Sequence, residues 1–361
     1  MRPPFVADLS LALINRTGAY HVCRDLAFNL PEHISAVRYW RLHRRREPRD
    51  FMRRLLGAAM LFELSHAKLA AWLPSWNRTA GLQQKTLFLD PLYVLRAQLG
   101  SRDIVLCHDV GPVSTPHLFE PATSALYRQA YARIQARRPA MVFVSEASRA
   151  DFVAHFGSEF PAMAVIPLYV RSGSTEGPAE QPAGVSKPFL LMVAALETRK
   201  NYPRAIEAFV RSSLREQGFS LVFCGPRGNE ASAVQEIARR TPGVTALGFA
   251  SEAELRWLYR NASGFVLPSL LEGFGLPAAE AAQHGLLSVV SRGGALAEAV
   301  GGGALLVDPL NVEDIARGMR QLAMMPAPLK AERLAIAQRH AATLTFDRYI
   351  SNWSNLLADL A

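Results

Sequence analysis

Gly264-Phe265-Val266-Leu267-Pro268-Ser269-Leu270-Leu271-Glu272-Gly273-Phe274-Gly275-Leu276-Pro277-Ala278-Ala279-Glu280-Ala281-Ala282-Gln283-His284-Gly285 joins a strand, a glycine-flanked loop and a helix in one run. Gly264 to Leu267 is a short apolar stretch of strand type. Pro277 suits the first turn of a helix and Gly285 its left-handed end, so Glu272 falls in the loop and Glu280 on the first helical turns. That loop leaves the carboxyl end of a strand, where open α/β sheets bind their ligands. Both carboxylates are placed to face one pocket. Gly273 and Gly275 let a ligand approach the backbone, and the helix N-terminus offers N–H groups and partial positive charge to a phosphate. An ionised glutamate nearby accepts hydrogen bonds from sugar hydroxyls. The bland alternative is two surface glutamates on an ordinary helix.

The same punctuation recurs outward from this run. Ile104–Cys107, Met141–Val144, Phe189–Ala194, Leu221–Phe223 and Leu287–Val290 are short apolar runs separated by segments of helical period, the pattern of βαβ units and parallel sheets. Glu197-Thr198-Arg199-Lys200-Asn201 follows one strand and Gly225-Pro226-Arg227-Gly228 another. A basic pair, Arg199 and Lys200, therefore stands at a strand's carboxyl edge. Asn201 is a suitable N-cap for a helix whose apolar face is Ile206, Phe209 and Val210. The stretch 171–187, rich in Gly, Ser, Pro and Glu, is expected to be a linker. Two α/β domains result: 1–170, rejoined by a terminal helix over 346–361 with Tyr349, Ile350, Trp353, Leu356 and Leu357 on its apolar side, and 188–345.

A chain of 361 residues, half of them hydrophobic, supports two ordinary cores. Three scattered cysteines, Cys23, Cys107 and Cys224, lack metal-ligand spacing and point to core packing in a reducing compartment. No leader is visible after Met1, and no apolar run reaches the ~18 residues of a membrane span. A cytoplasmic protein is expected. The net charge of +9 favours anionic partners. Arginines crowd Arg38 to Arg54, and apolar residues at helical spacing run from Phe51 to Leu73. That segment is either a solvated basic loop with a half-buried helix or a surface for an anionic membrane on the inner face.

Glu272 and Glu280 have the E-x7-E spacing of the retaining glycosyltransferases of family 4, and the chain resembles that family. The resemblance extends through Pro268-Ser269, Val289-Val290-Ser291, the Glu197–Asn201 and Gly225–Gly228 turns, Ala297-Glu298-Ala299-Val300 and Leu306-Val307-Asp308-Pro309. It covers the second domain and looks closest to the mannosyltransferase-like branch. It implies an α/β fold of the GT-B kind, two Rossmann-like parallel-sheet domains facing a cleft. It also implies that Arg199 and Lys200 neutralise the donor diphosphate, Glu280 binds the ribose and Glu272 contacts the sugar near the reacting centre. Backbone around Gly273, Phe274, Gly275 and Leu276 would orient sugar and phosphate. In the first domain, Asp103–Pro112 resembles the family's strand and His-Asp turn, and Val144–Arg149 a later strand-to-helix turn. His108 is then a catalytic candidate and Asp109 and Ser145 cleft candidates; Thr17-Gly18 resembles the first loop beside the phosphates, which with Gly225 completes the donor set.

The resemblance thus implies a retaining hexosyltransferase using a nucleoside-diphosphate sugar, GDP-mannose first and a UDP-sugar second. The expected acceptor is a glycan or lipid-linked saccharide in surface polysaccharide assembly. No metal or other cofactor is expected, since no ligand cluster is visible and the donor phosphate itself would take the acceptor proton. A GT-B sugar-nucleotide epimerase is the rival enzyme, and a non-catalytic nucleotide- or nucleic-acid-binding partner the rival of another class. The absence of G-x-G-x-x-G after a strand disfavours an oxidoreductase. No recognisable motif accompanies the arginines, so no specific nucleic acid is expected.

Overall fold

The computed structural model describes residues 4–14, 18–44, 46–65, 85–171 and 176–361. The chain divides into two compact units, Met1–Pro116 with Pro121–Leu168 and Asp347–Ala361, and His117–Glu120 with Tyr169–Phe346.

In the first unit the strands are β1 (Phe5–Asp8), β2 (Ile34–Tyr39), β3 (Leu42–His43), β4 (Lys85–Phe88), β5 (Ile104–Cys107), β6 (Ala140–Phe143) and β7 (Met163–Val165). They lie in the order β3-β2-β1-β4-β5-β6-β7, with every pairing parallel except β2 to β3. The second unit holds β8 (Phe189–Val193), β9 (Ser220–Cys224), β10 (Val244–Gly248), β11 (Gly264–Leu267), β12 (Ser288–Ser291) and β13 (Leu305–Val307). Their order is β10-β9-β8-β11-β12-β13, all parallel. Both sheets are doubly wound, and the strand order reverses between β1 and β4 and again between β8 and β11. Parallel strands covered on both faces read as continuous apolar runs, and Ile104–Cys107 and Gly264–Leu267 are buried at every position.

Helices cover these sheets with one apolar face each. Tyr202–Arg211 buries Tyr202, Ala205, Ile206, Ala208 and Phe209, but Val210, expected on that face, is exposed. Phe346–Asp359 packs Tyr349, Trp353 and Leu357 into the first unit at i, i+4 and i+8, while Ile350 and Leu356 are only half-buried. Glu252–Asn261 starts with a capping box: Glu254 N–H donates to Ser251 Oγ and Ser251 N–H to Glu254 Oε2 (3.2 and 2.8 Å).

Two expectations change. The stretch read as a linker lies, over its described part, on the second unit: Arg256 Nε donates to the Pro178 carbonyl (2.8 Å), Glu180 N–H to Ala253 (3.1 Å), and Val185 is buried. Its backbone gives a carbonyl to Arg256 and an N–H to Ala253, both on the helix Glu252–Asn261. The basic run is not one solvated loop either, since Arg38 sits in β2 and pairs with Asp8, buried, at 2.7 Å. The three cysteines are buried and unbridged, and burial pushes the Cys224 thiol up to about 12.

Candidate active site

The second unit's site grows from two loops on adjacent strands. β8 and β11 are hydrogen-bonded neighbours, pairing Gly264 with Leu190 and Phe265 with Leu191. The chain leaving β8 forms the short turn Thr198–Lys200, and the chain leaving β11 forms Pro268–Gly275. Because the strand order reverses here, no crossover helix fills the space beyond their carboxyl ends. Lys200 Nζ lies 2.7 Å from each oxygen of Glu272. Arg199 divides its guanidinium between Glu197 (2.7 Å) and Glu272 (3.4 Å), and Ser269 Oγ donates to Glu272 (2.8 Å).

One backbone hydrogen bond joins the two loops, and two further hydrogen bonds tie the first to the turn after β9. Leu270 N–H donates to the Arg199 carbonyl (2.7 Å), Thr198 N–H to Asn229 Oδ1 (3.0 Å) and Leu196 N–H to the Pro226 carbonyl (3.0 Å). Asn201 does not cap with its side chain as expected. It adopts a left-handed conformation (φ 63°) and sends Nδ2 to the carbonyls of Pro268 (2.9 Å) and Pro309 (2.7 Å). A short polar side chain tolerates that conformation, and its amide bridges three loops. Gly225, expected at the donor, carries a packing demand: a Cβ there would sit on the Ala194 carbonyl.

The helix Leu276–Gln283 begins at Gly275, whose φ is 104° and whose added Cβ would meet Leu296 at 2.6 Å, so two independent constraints select glycine. Pro277 brings no N–H and Ala278 N–H turns back to the Gly275 carbonyl (3.0 Å), so this end of the helix sets its positive pole beside Gly273, Phe274, Gly275 and Leu276. Glu280 lies one turn in, and Tyr259 donates to its Oε2 (3.1 Å). Tyr259 also stacks on His284, ring centroids 4.7 Å apart. The sequence assigned no role to Tyr259, and its only signal was the capped helix that carries it.

Burial and ion pairing set the charges. Burial alone would raise Glu272, but Lys200 and Arg199 hold its carboxyl below the ordinary range. Burial outweighs Glu272 at Lys200, whose ammonium lies below its ordinary value. Glu280 is raised by burial, with the Tyr259 hydrogen bond and the Arg171 charge offsetting only part of the rise. Glu272 is thus kept as an anion, and Glu280 is the carboxyl more readily protonated.

In the first unit the candidate residues are spent differently. His108 Nε2 faces the Leu89 carbonyl (3.0 Å) and Cys23 Sγ (3.7 Å), and the His108 carbonyl accepts from Ser148 Oγ (3.0 Å). Asp109 Oδ1 accepts from Gly111 N–H (2.9 Å). Ser145 is buried and caps the helix Glu146–Phe156, accepting from Ser148 N–H (3.0 Å). Gly18 opens the helix Gly18–Phe28, and Thr17 lies outside the described residues. Beside His108, Asp90 accepts both Tyr127 OH and Leu92 N–H, and burial raises its carboxyl. Among the described residues, no group of three or more His, Cys, Asp or Glu is placed to hold a metal, and no helix is long and apolar enough to cross a membrane.

The family model described as "Glycosyl transferases group 1" matches residues 175–340. The chain is 25% identical over 285 residues to the O-antigen chain mannosyltransferase B of Escherichia coli, covering 75% of this chain and 72% of that protein. It is 31% identical over 263 residues to the glycogen synthase of Mycobacterium tuberculosis, covering 66% of this chain and 60% of that protein. Sucrose-phosphate synthase from Thermosynechococcus elongatus superposes with a TM-score of 0.67 over 99% of both chains, at 18% identity, a likeness of fold alone. Residues 175–340, which hold Arg199, Lys200, Glu272 and Glu280, match the group 1 glycosyl transferase model, the chain has the GT-B fold, and mannosyltransferases are among the proteins it resembles.

Proposed function

We propose that the chain transfers a hexose, with GDP-mannose the first donor and a UDP-sugar the second, to a glycan or lipid-linked saccharide in surface polysaccharide assembly. The anomeric configuration of the donor is retained. The observation that carries this proposal is the convergence of Arg199, Lys200 and Glu272 beyond β8 and β11, beside a helix N-terminus. Two cations there face two carboxylates of the protein itself, Glu197 and Glu272. An incoming diphosphate exchanges with those carboxylates for Arg199 and Lys200, which turns Glu272 toward the sugar. As the glycosidic bond breaks, negative charge grows on the departing diphosphate and preorganised cations and N–H donors stabilise it. The ionised Glu280 accepts the ribose hydroxyls, with Tyr259 fixing its second oxygen. His108 is the catalytic candidate of the first unit, and a departing phosphate oxygen takes the acceptor proton.

Mannose is favoured by the name of the O-antigen relative, while the likeness to a glycogen synthase keeps glucosyl donors in the comparison. The test is thermal stabilisation by GDP-, UDP- and ADP-sugars, since a ligand that binds only the native state raises its stability. Transfer from the best donor is then followed by NMR of the product's anomeric proton, with and without EDTA. A retained configuration and a rate indifferent to EDTA are expected. Inversion, or release of an isomerised sugar nucleotide without any acceptor, would refute the proposal.

A further inference from the structure

The helix Asp50–Ser65 of the first unit turns an apolar face outward. Its inner side is fixed: Gly57, Met60 and Leu64 are buried at i, i+3 and i+7, and an added Cβ at Gly57 would press on the Leu13 carbonyl at 2.9 Å. Trp40 Nε1 and Arg41 both donate to the buried Glu63 (2.7 and 2.9 Å), pinning the far end. On the outer side Phe51, Leu55 and Ala58 share one face at i, i+4 and i+7, with Phe51 80% and Leu55 56% exposed. Met52 and Leu61 flank them, also exposed. A surface helix ordinarily directs its polar residues outward, and this one does the reverse.

The exposed charge beside that face is mostly positive. Arg46, Arg49 and Arg54 are exposed, just before the helix and in its first turns. Of the two nearby acids, Glu47 is engaged by Arg24 and Tyr20 (2.7 Å each), and Asp50 stands 3.6 Å from Arg53. We propose that this face docks on an anionic lipid surface, with Phe51 and Leu55 entering the headgroup boundary and the arginines resting on lipid phosphates. Such a surface supplies both a plane of negative charge and an apolar layer immediately beneath it, the two complements this face requires. Arg38 takes no part, being buried in its pair with Asp8. The proposal goes beyond the glycosyltransferase assignment and does not depend on it.

The test is co-sedimentation of the full chain with phosphatidylcholine vesicles and with vesicles containing about a third phosphatidylglycerol. Binding is expected only to the second, and it should weaken with salt. Each arginine near the surface is worth roughly a fivefold gain in partitioning, so Arg46→Ser with Arg49→Ser and Arg54→Ser should lose well over tenfold. Phe51→Ser with Leu55→Ser should lose about tenfold or more without altering the melting curve, because both side chains are exposed. A Phe51→Trp variant should shift its fluorescence to the blue on anionic vesicles alone. The proposal is overturned by no binding to anionic vesicles at low salt, or by undiminished binding of the Phe51→Ser, Leu55→Ser variant. It is equally overturned by self-association that this double variant abolishes in the absence of vesicle binding, which would assign the face to a second copy of the chain.

Discussion

Asp8 with Arg38 and Glu272 with Lys200 are both buried carboxylate–cation pairs beside the switch point of a doubly wound sheet, and they differ in what carries them. Asp8 and Arg38 are register partners on β1 and β2, so the sheet itself holds them together. Asp8 also accepts from Ser10 N–H (2.9 Å), and the Arg38 guanidinium lies 5.4 Å from the centre of the Phe88 ring. Glu272 and Lys200 come from loops beyond the strand ends, aligned by the Leu270 N–H to Arg199 carbonyl bond and by the Asn201 amide on the Pro268 carbonyl. The same chemical pair is structure inside a ladder and, in the proposed function, a receptor for phosphate outside it.

Removing one member of each pair sharpens the contrast. Arg38→Met leaves Asp8 buried and unpaired, which should cost about 3–5 kcal/mol in denaturant unfolding, while nucleoside diphosphate still binds the folded protein as before. A loss below about 1 kcal/mol would mean that the first pair is not structural. Glu272→Gln should instead reduce turnover by roughly 10²–10³-fold, as expected for a group acting on developing charge. Free diphosphate should bind this variant no more weakly than the parent, because Glu272 competes for Lys200. Unchanged turnover, or diphosphate affinity lost in step with it, would return Glu272 to a purely structural part.

Smaller effects are expected at Glu280. Glu280→Gln should weaken nucleotide binding roughly tenfold, and Tyr259→Phe, which removes only the supporting hydrogen bond, about fivefold. Burial holds the Glu280 carboxyl above its ordinary value, so its ionised form is lost at a higher pH than usual on acidification. Nucleotide affinity of the parent should fall through that raised value, and that of the Glu280→Gln variant should not. Stability runs the opposite way. A carboxyl raised by folding stabilises the fold when protonated, and that contribution is lost as pH rises through the folded-state value. Glu280→Gln should therefore melt at a higher temperature than the parent at neutral pH without nucleotide, and an equal or lower melting temperature would count against the buried anion.

Local order carried what the sequence made legible. The strands Ile104–Cys107 and Gly264–Leu267 match their apolar runs residue for residue, because central parallel strands are buried on both faces. Glu272 and Glu280 could be placed because Pro277 and Gly285 bracket the helix between them. The edge strands β7 and β10 left no such run, being only half-buried throughout. Pairing across the sheet was equally hidden: nothing near Arg38 in sequence points to its hydrogen-bond partner Asp8, 30 positions earlier. For the same reason Asn201 looked like a cap, since its partners, the Pro268 and Pro309 carbonyls, lie 67 and 108 positions away. In the first unit, Ser145 resembled a cleft residue while its hydroxyl serves the helix beyond it.

The proposed function rests on Arg199 and Lys200 at the β8–β11 switch point receiving the donor's diphosphate. Calorimetric titration of GDP and UDP into the parent, Arg199→Ala and Lys200→Ala tests it most directly. Each variant removes a charge-assisted contact of roughly 1.5–3 kcal/mol, so affinity for the preferred diphosphate should fall by about tenfold or more in each, with the folded state intact by circular dichroism. Diphosphate bound as tightly by both variants as by the parent would contradict it.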